Sequence, residues 1–374
     1  MNDVLGLINL HENERLLKEI TRNRPLAAVP FGGRFRLIDF VLSNMVNSGM
    51  HHVGIVAKNK YRALMDHIRS GKEWDLARKR NGLFILPPPD HVHYSNSIYK
   101  GDLEQFYNNI DSIKKSQQRY VLIAGSHTIC NINYKEVIQF HLDKQADITV
   151  VYKQEPAGLE KNFAMATVLK VDSQSLVTDM EVKADKTAGG NICMDIFVIA
   201  KELLVQIIEE CVARGEFDFI KEGIIKNMHR YKIYGYSYDG YMAKINSIQA
   251  YYRANMSLLN PDIWTELFGQ LGPIYTKVKD TPPANYREHA IVHNSLVANG
   301  CVIDGTVENS ILFRNVTVQK GAHIKNSIIM QKSIICADTM LENIICDKDV
   351  KITEGKRLIG DPNYVMVIEK GMVV

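Results

Sequence analysis

The sequence has no strong excess of charge of either sign. Its 45 lysine and arginine residues are nearly balanced by 42 aspartate and glutamate residues, for a formal net charge of +3. So small a net charge argues against nucleic acid or an anionic membrane surface as a partner, because such partners attract strongly basic proteins. Any site for an anion must therefore come from local clustering of basic residues.

Cysteine motifs and long apolar runs are also missing. The six cysteines are dispersed, without a C-x-x-C pair and without histidines at zinc spacing, so we expect free, buried thiols in a reducing cytosol. The N-terminal MNDVLGLINL has no basic region like that of a signal peptide, and no run approaches the ~20 apolar residues that cross a bilayer. These absences predict a soluble, cytoplasmic protein with no nucleic-acid and no membrane partner.

Two kinds of periodicity alternate in the first part of the chain. Short apolar, β-branched runs at 4–10, 53–58, 119–125 and 147–153 are typical of strands buried on both faces of a mainly parallel sheet. Between them, stretches such as RLIDFVLSNMVNSG have helical apolar spacing. The repetition predicts an α/β, doubly wound, Rossmann-like domain over residues 1–259. Such domains bind ligands beyond the carboxyl ends of the strands.

A recurring phrase replaces this alternation in the tail, as VHNSLV, VENSIL, IKNSII and LENIIC. The asparagines of the four copies are Asn294, Asn309, Asn326 and Asn343. Their intervals of 15, 17 and 17 residues fit one coil each of a left-handed parallel β-helix, with Val, Ile and Leu pointing inward. We therefore predict a β-helix domain over 290–374 and a linker over 260–289, where turn-forming residues gather.

The stretch AVPFGGRFRLIDFVLSNMVNSGM at 28–50 resembles the Phe-Gly-Gly-Lys/Arg-x-Arg-x-Ile-Asp-Phe motif of bacterial glucose-1-phosphate adenylyltransferases. The resemblance continues in order through IYKGDLEQFYNNIDSI, VLIAGSHTICNINY, FDFIKEGII and the repeats. It implies a nucleotidyltransferase domain followed by the β-helix. Members of that family convert ATP and glucose 1-phosphate into ADP-glucose and pyrophosphate. A glycine-rich loop cradles the triphosphate, and two acidic residues hold Mg²⁺.

The glycine-rich loop of the family is lost in this chain. The segment INLHENERLLKEIT at 8–21 contains no glycine, and His11, Glu12 and Glu14 stand at the glycine positions. Side chains there would block a close approach of the backbone, and two carboxylates would repel a triphosphate.

The charged catalytic side chains of the family are replaced as well. Ser126 and Lys244 stand at the positions of the two metal-holding aspartates, and Leu26 replaces the lysine before the Phe-Gly-Gly motif. A hydroxyl and an ammonium group cannot replace two anionic ligands of Mg²⁺. We therefore expect no catalytic residue, no metal and no cofactor bound by this chain.

These losses beside intact fold motifs are similar to the GlgD-type second subunit of glucose-1-phosphate adenylyltransferase. The resemblance implies a non-catalytic or weakly catalytic regulatory chain in glycogen synthesis. It also implies a hetero-oligomer, a tetramer, with a catalytic subunit that carries the Mg²⁺. Two alternatives stay open: a competent enzyme with altered ligands, and a non-enzymatic scaffold of the same fold.

Basic residues crowd the segment around Gly32 and Gly33, among them Arg24, Arg34 and Arg36. The resemblance places Arg24 and Arg36 at positions that bind allosteric anions, and guanidinium groups suit phosphate. We predict an anionic small-molecule effector at these arginines. The alternative is a solvated basic strip.

Further candidates lie in the first domain. The resemblance makes Lys183 and Tyr99 candidate residual substrate-binding residues, with surface and packing roles as the alternatives. The sugar pocket that the resemblance implies is altered in this chain at Asp195. Ser126 and His127 together suggest a hydrolase pair, but we reject it on the expectation that neighbours in a strand point to opposite faces.

Overall fold

The computed structural model describes residues 1–57, 60–88, 100–156, 166–182 and 190–374. The chain forms two compact units, each assembled from separate stretches. The first unit comprises Met1–Glu12, Phe40–Lys244 and Leu271–Tyr275, and the second comprises Asn13–Asp39, Ile245–Gln270 and Thr276–Val374. Each domain predicted from the sequence is one continuous stretch, whereas each of these units combines three separate stretches. The predicted boundaries stay a prediction.

A nine-stranded sheet forms the centre of the first unit. Its strands are β1 (Val4–Asn9), β4 (Val53–Val56), β5 (Leu83–Leu86), β6 (Tyr120–Gly125), β8 (Ile148–Glu155), β9 (Thr167–Val171), β10 (Val177–Val182), β11 (Gly190–Ala200) and β12 (Ile233–Ser237). They lie in the order β10, β9, β11, β6, β1, β4 and β5, and β8 joins β11 to β12. Strands β6, β1, β4 and β5 run parallel, and β11 pairs antiparallel with β6 and β8. The doubly wound α/β prediction is confirmed.

Helices and short elements complete the first unit. The helices are α2 (Leu37–Asn47), whose first three residues belong to the second unit, α3 (Arg62–Ile68), α4 (Asp102–Asn108), α5 (Ile110–Lys115), α6 (Tyr134–Asp143) and α7 (Lys201–Ala213). Smaller elements are a π-helical turn at Phe219–Ile224, 3-10 turns at Lys72–Trp74 and Ile225–Arg230, and the paired strands β7 (Thr128–Ile129) and β13 (Ala243–Lys244). The apolar residues of the central strands are fully buried, as the near-continuous apolar runs predict.

Three parallel five-stranded sheets form a left-handed β-helix in the second unit. The first sheet contains β14 (Asn285–Tyr286), β17 (Val302–Ile303), β20 (Thr317–Val318), β23 (Ile334–Ile335) and β26 (Lys351–Ile352). The second contains β15 (Ile291–His293), β18 (Thr306–Glu308), β21 (His323–Lys325), β24 (Met340–Glu342) and β27 (Arg357–Ile359). The third contains β16 (Leu296–Val297), β19 (Ile311–Leu312), β22 (Ile328–Ile329), β25 (Ile344–Cys346) and β28 (Met366–Ile368). The predicted β-helix is confirmed.

The repeated Asn-Ser phrase marks one corner of each coil. All four repeat asparagines have positive φ, from 41° at Asn294 to 54° at Asn343, a conformation that asparagine tolerates better than most residues. In the first three copies, the serine that follows links successive coils: the hydroxyl of Ser310 accepts the backbone N–H of Ser327 at 3.0 Å. The phrase repeats because each coil needs the same turn and the same inter-coil bond.

Segments outside the β-helix belong to the same second unit. They contain α1 (Lys18–Thr21), β2 (Pro30–Phe31), β3 (Phe35–Arg36), α8 (Ile248–Met256), α9 (Pro261–Gly269) and 3-10 turns at Leu26–Ala28 and Ser257–Leu259. The hydroxyl of Tyr252 donates to the backbone carbonyl of Asn326 at 2.7 Å, which attaches α8 to the β-helix. The segment predicted as a linker contains α9, whose first turn is capped by the side chain of Asn260.

Candidate functional site

Two parallel strands of the first unit end side by side and bring Glu12 next to Ser126. Strands β1 and β6 are paired through to their last residues, Asn9 and Gly125. Ser126 follows β6 directly, and Glu12 follows β1 in a segment without regular structure. This is the carboxyl edge of the sheet, where doubly wound proteins place their ligands.

Ser126 holds the carboxylate of Glu12 with two hydrogen bonds. Its backbone N–H donates to Glu12 Oε1 at 2.7 Å, and its hydroxyl donates to the same oxygen at 2.6 Å. His127 Nδ1 lies 3.7 Å from that oxygen. The side chain of Glu12 is only 6% exposed, so these contacts replace water almost completely.

Asp195 and Lys244 continue this arrangement on the other side of His127. Asp195 Oδ2 lies 2.8 Å from His127 Nε2 and 2.6 Å from Lys244 Nζ. Asp195 has φ 54° and sits at a register shift in β11, which turns its side chain away from the regular strand alternation. Lys244 is brought opposite Thr128 by the β13–β7 pairing. We call Glu12, Ser126, His127, Asp195 and Lys244 the charge network.

Glu12, Asp195 and His127 each have a pKa that is shifted towards the charged form. Burial alone would raise the pKa of Glu12, but His127 and Ser126 outweigh burial and lower it. Burial likewise opposes ionisation of Asp195, yet Lys244 and His127 hold its pKa well below the usual range. For His127, burial lowers the pKa, and the nearby carboxylates of Asp195 and Glu12 more than reverse this. Two carboxylates thus face two cations in alternating order, and the network is neutral as a whole.

The structure corrects the reasoning by which the Ser126 and His127 pair was rejected as hydrolytic. Strand β6 ends at Gly125, so these two residues lie in a turn and both side chains approach Glu12. The Ser126 hydroxyl donates to Glu12 rather than to His127. The geometry is therefore that of a held carboxylate and does not activate the serine as a nucleophile.

Sequence reasoning identified some members of the charge network and missed how they connect. Ser126 and Lys244 were singled out as replacements, and the structure brings them together through Asp195, His127 and Glu12. The sequence indicates Asp195 only as an altered residue of the sugar pocket. Its signal was a charge at a position where the family has glycine. Tyr99 and Lys183 lie outside the described residues, and their predicted roles stay predictions.

Arg24 has an internal anionic partner in the second unit. Its Nη2 lies 2.6 Å from Asp347 Oδ1, and its Nε donates to the carbonyl of Ile20 at 2.9 Å. Both charged side chains are at least 95% buried. The alternative of a solvated strip is therefore wrong for Arg24, whereas Arg34 is exposed and its guanidinium lies 5.2 Å from the centre of the Phe35 ring.

Other cations of the second unit lie close enough to perturb one another. We call Arg24, Arg34, Arg36, Lys279, Arg314 and Lys348 the basic cluster. Burial, with the charges of Arg36 and Arg24, lowers the pKa of Lys348 to about 6, against the opposing effect of Asp347. Burial and neighbouring arginines similarly lower the pKa of Lys279.

Arg314 extends the basic cluster within the β-helix. Burial and the charge of Arg34 lower the pKa of Arg314, and Asp39 opposes this shift. The cluster thus contains six basic residues and, as the acids that act on them, Asp39 and Asp347. Such an excess of partly buried positive charge suits a phosphate or carboxylate ligand.

Comparison with known proteins places the chain in a family. A nucleotidyl transferase model matches residues 14–260, and a GlmU-like C-terminal hexapeptide model matches 282–374. The glycogen biosynthesis protein GlgD of Bacillus subtilis is 41% identical over 372 residues, which is 100% of this chain and 97% of the relative. The chain belongs to the family of GlgD proteins and glucose-1-phosphate adenylyltransferases. The glucose-1-phosphate adenylyltransferase of Clostridium perfringens (strain SM101) is 32% identical over 358 residues, covering 95% and 91% of the two chains. That of Fervidobacterium nodosum is 30% identical over 363 residues, covering 96% and 86%.

The residues at the family's metal positions do not fit Mg²⁺. Ser126 donates its hydroxyl hydrogen to Glu12, and Lys244 places an ammonium group against Asp195. Both are therefore donors where Mg²⁺ needs oxygen acceptors. Among the residues that the structure describes, no group of three or more His, Cys, Asp or Glu side chains is placed to hold a metal ion. Within the same ranges, the helices lack the length and apolar character that crossing a membrane requires.

Proposed function

We propose that this chain is a non-catalytic or weakly catalytic regulatory subunit that works with a catalytic glucose-1-phosphate adenylyltransferase in glycogen synthesis. In this proposal, the catalytic partner binds the Mg²⁺ and makes ADP-glucose. The present chain changes the rate or the substrate affinity of that partner inside a hetero-oligomer, a tetramer, in the cytoplasm.

The charge network is the observation that carries this proposal. A family member that used Mg²⁺ and a triphosphate at this edge of the sheet would need acceptors for the metal and backbone access for the phosphates. Here Glu12 lies at the Ser126 amide and Lys244 neutralises Asp195. Charges that already satisfy each other leave little driving force for binding an ionic substrate.

The names of relatives support the pathway. The relatives from Bacillus subtilis and Geobacillus stearothermophilus, which are 41% and 39% identical, are named as glycogen biosynthesis proteins. Several relatives at lower identity are named as glucose-1-phosphate adenylyltransferases. A chain that keeps the fold and lacks the metal ligands fits an accessory role beside such an enzyme.

The basic cluster supports the regulatory part of the proposal. We expect it to bind an anionic small-molecule effector through Arg34, Arg36 and Lys279 and through Arg314 and Lys348 of the β-helix. Arg24 contributes to the positive field, although its guanidinium is already bonded to Asp347. Phosphate groups are the natural ligands because they accept several charge-assisted hydrogen bonds at once.

Synthesis of ADP-glucose by the chain alone, by a catalytic glucose-1-phosphate adenylyltransferase alone and by their mixture tests the proposal. We expect negligible turnover by this chain and a raised kcat or lowered KM for the mixture. Robust Mg²⁺-dependent turnover by the chain alone would support a competent enzyme instead. An unchanged partner, together with no binding of any anion, would support a scaffold.

A further inference from the structure

We propose that Glu12 is a displaceable internal ligand, seated in an oxyanion site that consists of the Ser126 N–H, the Ser126 hydroxyl and the His127 imidazole. The ligand class is an oxyanion of the phosphate type. It binds in this site, which we call the seat, when the Glu12 carboxylate leaves it. This inference goes beyond the proposed regulatory role, and the isolated chain can test it.

The donors of this seat converge on one oxygen atom. The Ser126 N–H and hydroxyl lie 2.7 and 2.6 Å from Glu12 Oε1, and His127 Nδ1 lies 3.7 Å from it. Convergent donors that include a backbone N–H are the usual means of binding an oxyanion. Gly125 leaves room for the ring, because a Cβ there would stand 2.7 Å from His127 Nδ1.

Glu12 fills this seat only in part. His127 Nδ1 is buried and has no hydrogen-bond partner among the described residues, while Nε2 lies 2.8 Å from Asp195. A buried donor without a partner is costly, and native structures seldom leave one without a reason. A phosphate group presents several oxygens and could bond to Ser126 and to His127 Nδ1 together, which one carboxylate oxygen does not do here.

The charge of the site favours an anion as soon as Glu12 leaves. The charge network is neutral because Glu12 and Asp195 balance His127 and Lys244. Without Glu12, one positive charge is left uncompensated in a largely buried site, where electrostatic attraction is stronger than in water. Asp195 also fixes the orientation of the His127 ring, so the free Nδ1 continues to face the seat.

The position of Glu12 in the chain is compatible with its displacement. It lies in the segment between β1 and α1, where residues 10–14 have no regular structure. Its carboxylate is therefore held by side-chain and turn contacts and not by a backbone ladder. By contrast, Ser126 and His127 follow a central strand of the sheet and provide the fixed half of the site.

Titration with inorganic phosphate, followed at the His127 imidazole resonances by NMR, tests the inference. Glu12→Ala should bind phosphate at least about tenfold more tightly than the unaltered chain, since it gains charge-assisted bonds without having to displace a carboxylate. Glu12→Gln, which keeps the size but not the charge, should lie between them. Glu19→Ala, which removes an exposed carboxylate nearby in sequence, should match the unaltered chain.

A second variant separates this seat from the basic cluster, which also attracts phosphate. Adding His127→Gln to Glu12→Ala should remove the gain in affinity, now followed by calorimetry because the imidazole signal is lost. The inference is overturned if Glu12→Ala and Glu19→Ala bind phosphate equally, or if the gain survives without His127. Melting curves of each variant establish that it is folded. Since no catalytic partner is present, the result is separate from the success or failure of the regulatory proposal.

Discussion

The charge network and the basic cluster differ in whether their charges are compensated by neighbouring charges of opposite sign. In the network, Glu12 and Asp195 alternate with His127 and Lys244, and each charge has an opposite charge close to it. In the cluster, cations lie near other cations, and burial with neighbouring arginines lowers the pKa of Lys348 to about 6. Paired buried charges contribute little to ligand binding, whereas an excess of one sign attracts the opposite sign.

This difference shows how one fold can balance the charges of one region internally and leave another region with an excess of positive charge. Replacement of acceptors by Ser126 and Lys244, with carboxylates supplied by Glu12 and Asp195, preserves electrostatic balance in the first unit. Because these charges lie opposite one another, they do not need a ligand to balance them. The second unit keeps an imbalance that an anion can relieve.

Restoring acids at the two family metal positions should produce the largest change. Ser126→Asp combined with Lys244→Asp removes a cation and adds two carboxylates beside Glu12 and Asp195, and we expect destabilisation of about 3–5 kcal/mol without metal. Mg²⁺ or Mn²⁺ should recover part of that loss, because a ligand that binds only the folded chain stabilises it. Turnover should stay low, since Glu12 and Leu26 are unchanged.

Thermal melts with and without the divalent ion measure this effect. Lys115→Asp, which adds an acid at an exposed helix position, is the control and should show no response to metal. Identical curves for the double variant would mean that the two positions do not together form a metal site.

Breaking the buried pair of the second unit should come next in size. Arg24→Ala leaves the Asp347 carboxylate buried without its guanidinium, and we expect a loss of about 3 kcal/mol in the free energy of unfolding. Arg22→Ala is a matched control, because Arg22 bonds to Glu369 at 2.8 Å while being 71% exposed. Its cost should stay below about 1 kcal/mol. Urea unfolding of both variants measures the difference, and equal costs would contradict the structural role of Arg24.

Sequence reasoning predicted the elements that repeat or alternate. The apolar runs at 4–10 and 119–125 became β1 and β6, and the Asn-Ser phrase became the corner of the β-helix. These features follow from local rules: strands buried on both faces need continuous apolar side chains, and a tight corner needs a residue that tolerates positive φ.

Long-range pairing could not be predicted in the same way. Asp347 lies 323 residues from Arg24 along the chain, and nothing in the local pattern of either segment indicates that they meet. From the sequence, Arg24 is expected to bind an anionic effector or, alternatively, to lie in a solvated strip, and neither expectation includes a buried ion pair with Asp347. Asp195 reaches His127 because of a register shift in β11, and such irregularities depend on the packing of the whole sheet. The replaced residues can be recognised in the sequence, but only the fold shows that their charges neutralise one another.

Lys348 gives the basic cluster a dependence on pH. With a pKa lowered to about 6, this lysine is mostly neutral at neutral pH, and a bound anion would raise its pKa again. Binding should therefore take up a proton, so affinity for a phosphate effector should increase as pH falls from 8 towards 6, by up to about tenfold per pH unit.

Calorimetry in buffers of different ionisation enthalpy counts the protons taken up on binding. Lys348→Arg keeps a permanent charge, so it should bind about as well at pH 8 as at pH 6. If the unaltered chain and Lys348→Arg show the same pH profile, Lys348 is not the group that takes up the proton.

The smallest expected effects on the free energy of unfolding have opposite signs in the charge network and in the basic cluster. Ser126→Ala removes the hydroxyl that donates to Glu12 and keeps the backbone N–H, so we expect a loss of about 1 kcal/mol. The lowered pKa of Glu12 should also move up, because one of its hydrogen bonds is gone. Its stabilising effect, which is present above its unfolded-state pKa, would then disappear at a higher pH during acid titration.

Arg34→Ala is the counterpart in the basic cluster. It removes an exposed cation whose charge lowers the pKa of Arg314, so repulsion falls and stability should be unchanged or higher by up to about 0.5 kcal/mol. Urea unfolding of both variants at pH 7 and pH 5 tests the pair, with Ser112→Ala as an exposed serine control. A clear loss of stability in Arg34→Ala would contradict this comparison and show that the charges of the cluster are paired with opposite charges. Removing one member of an ion pair leaves its partner unpaired, whereas removing one of several like charges does not.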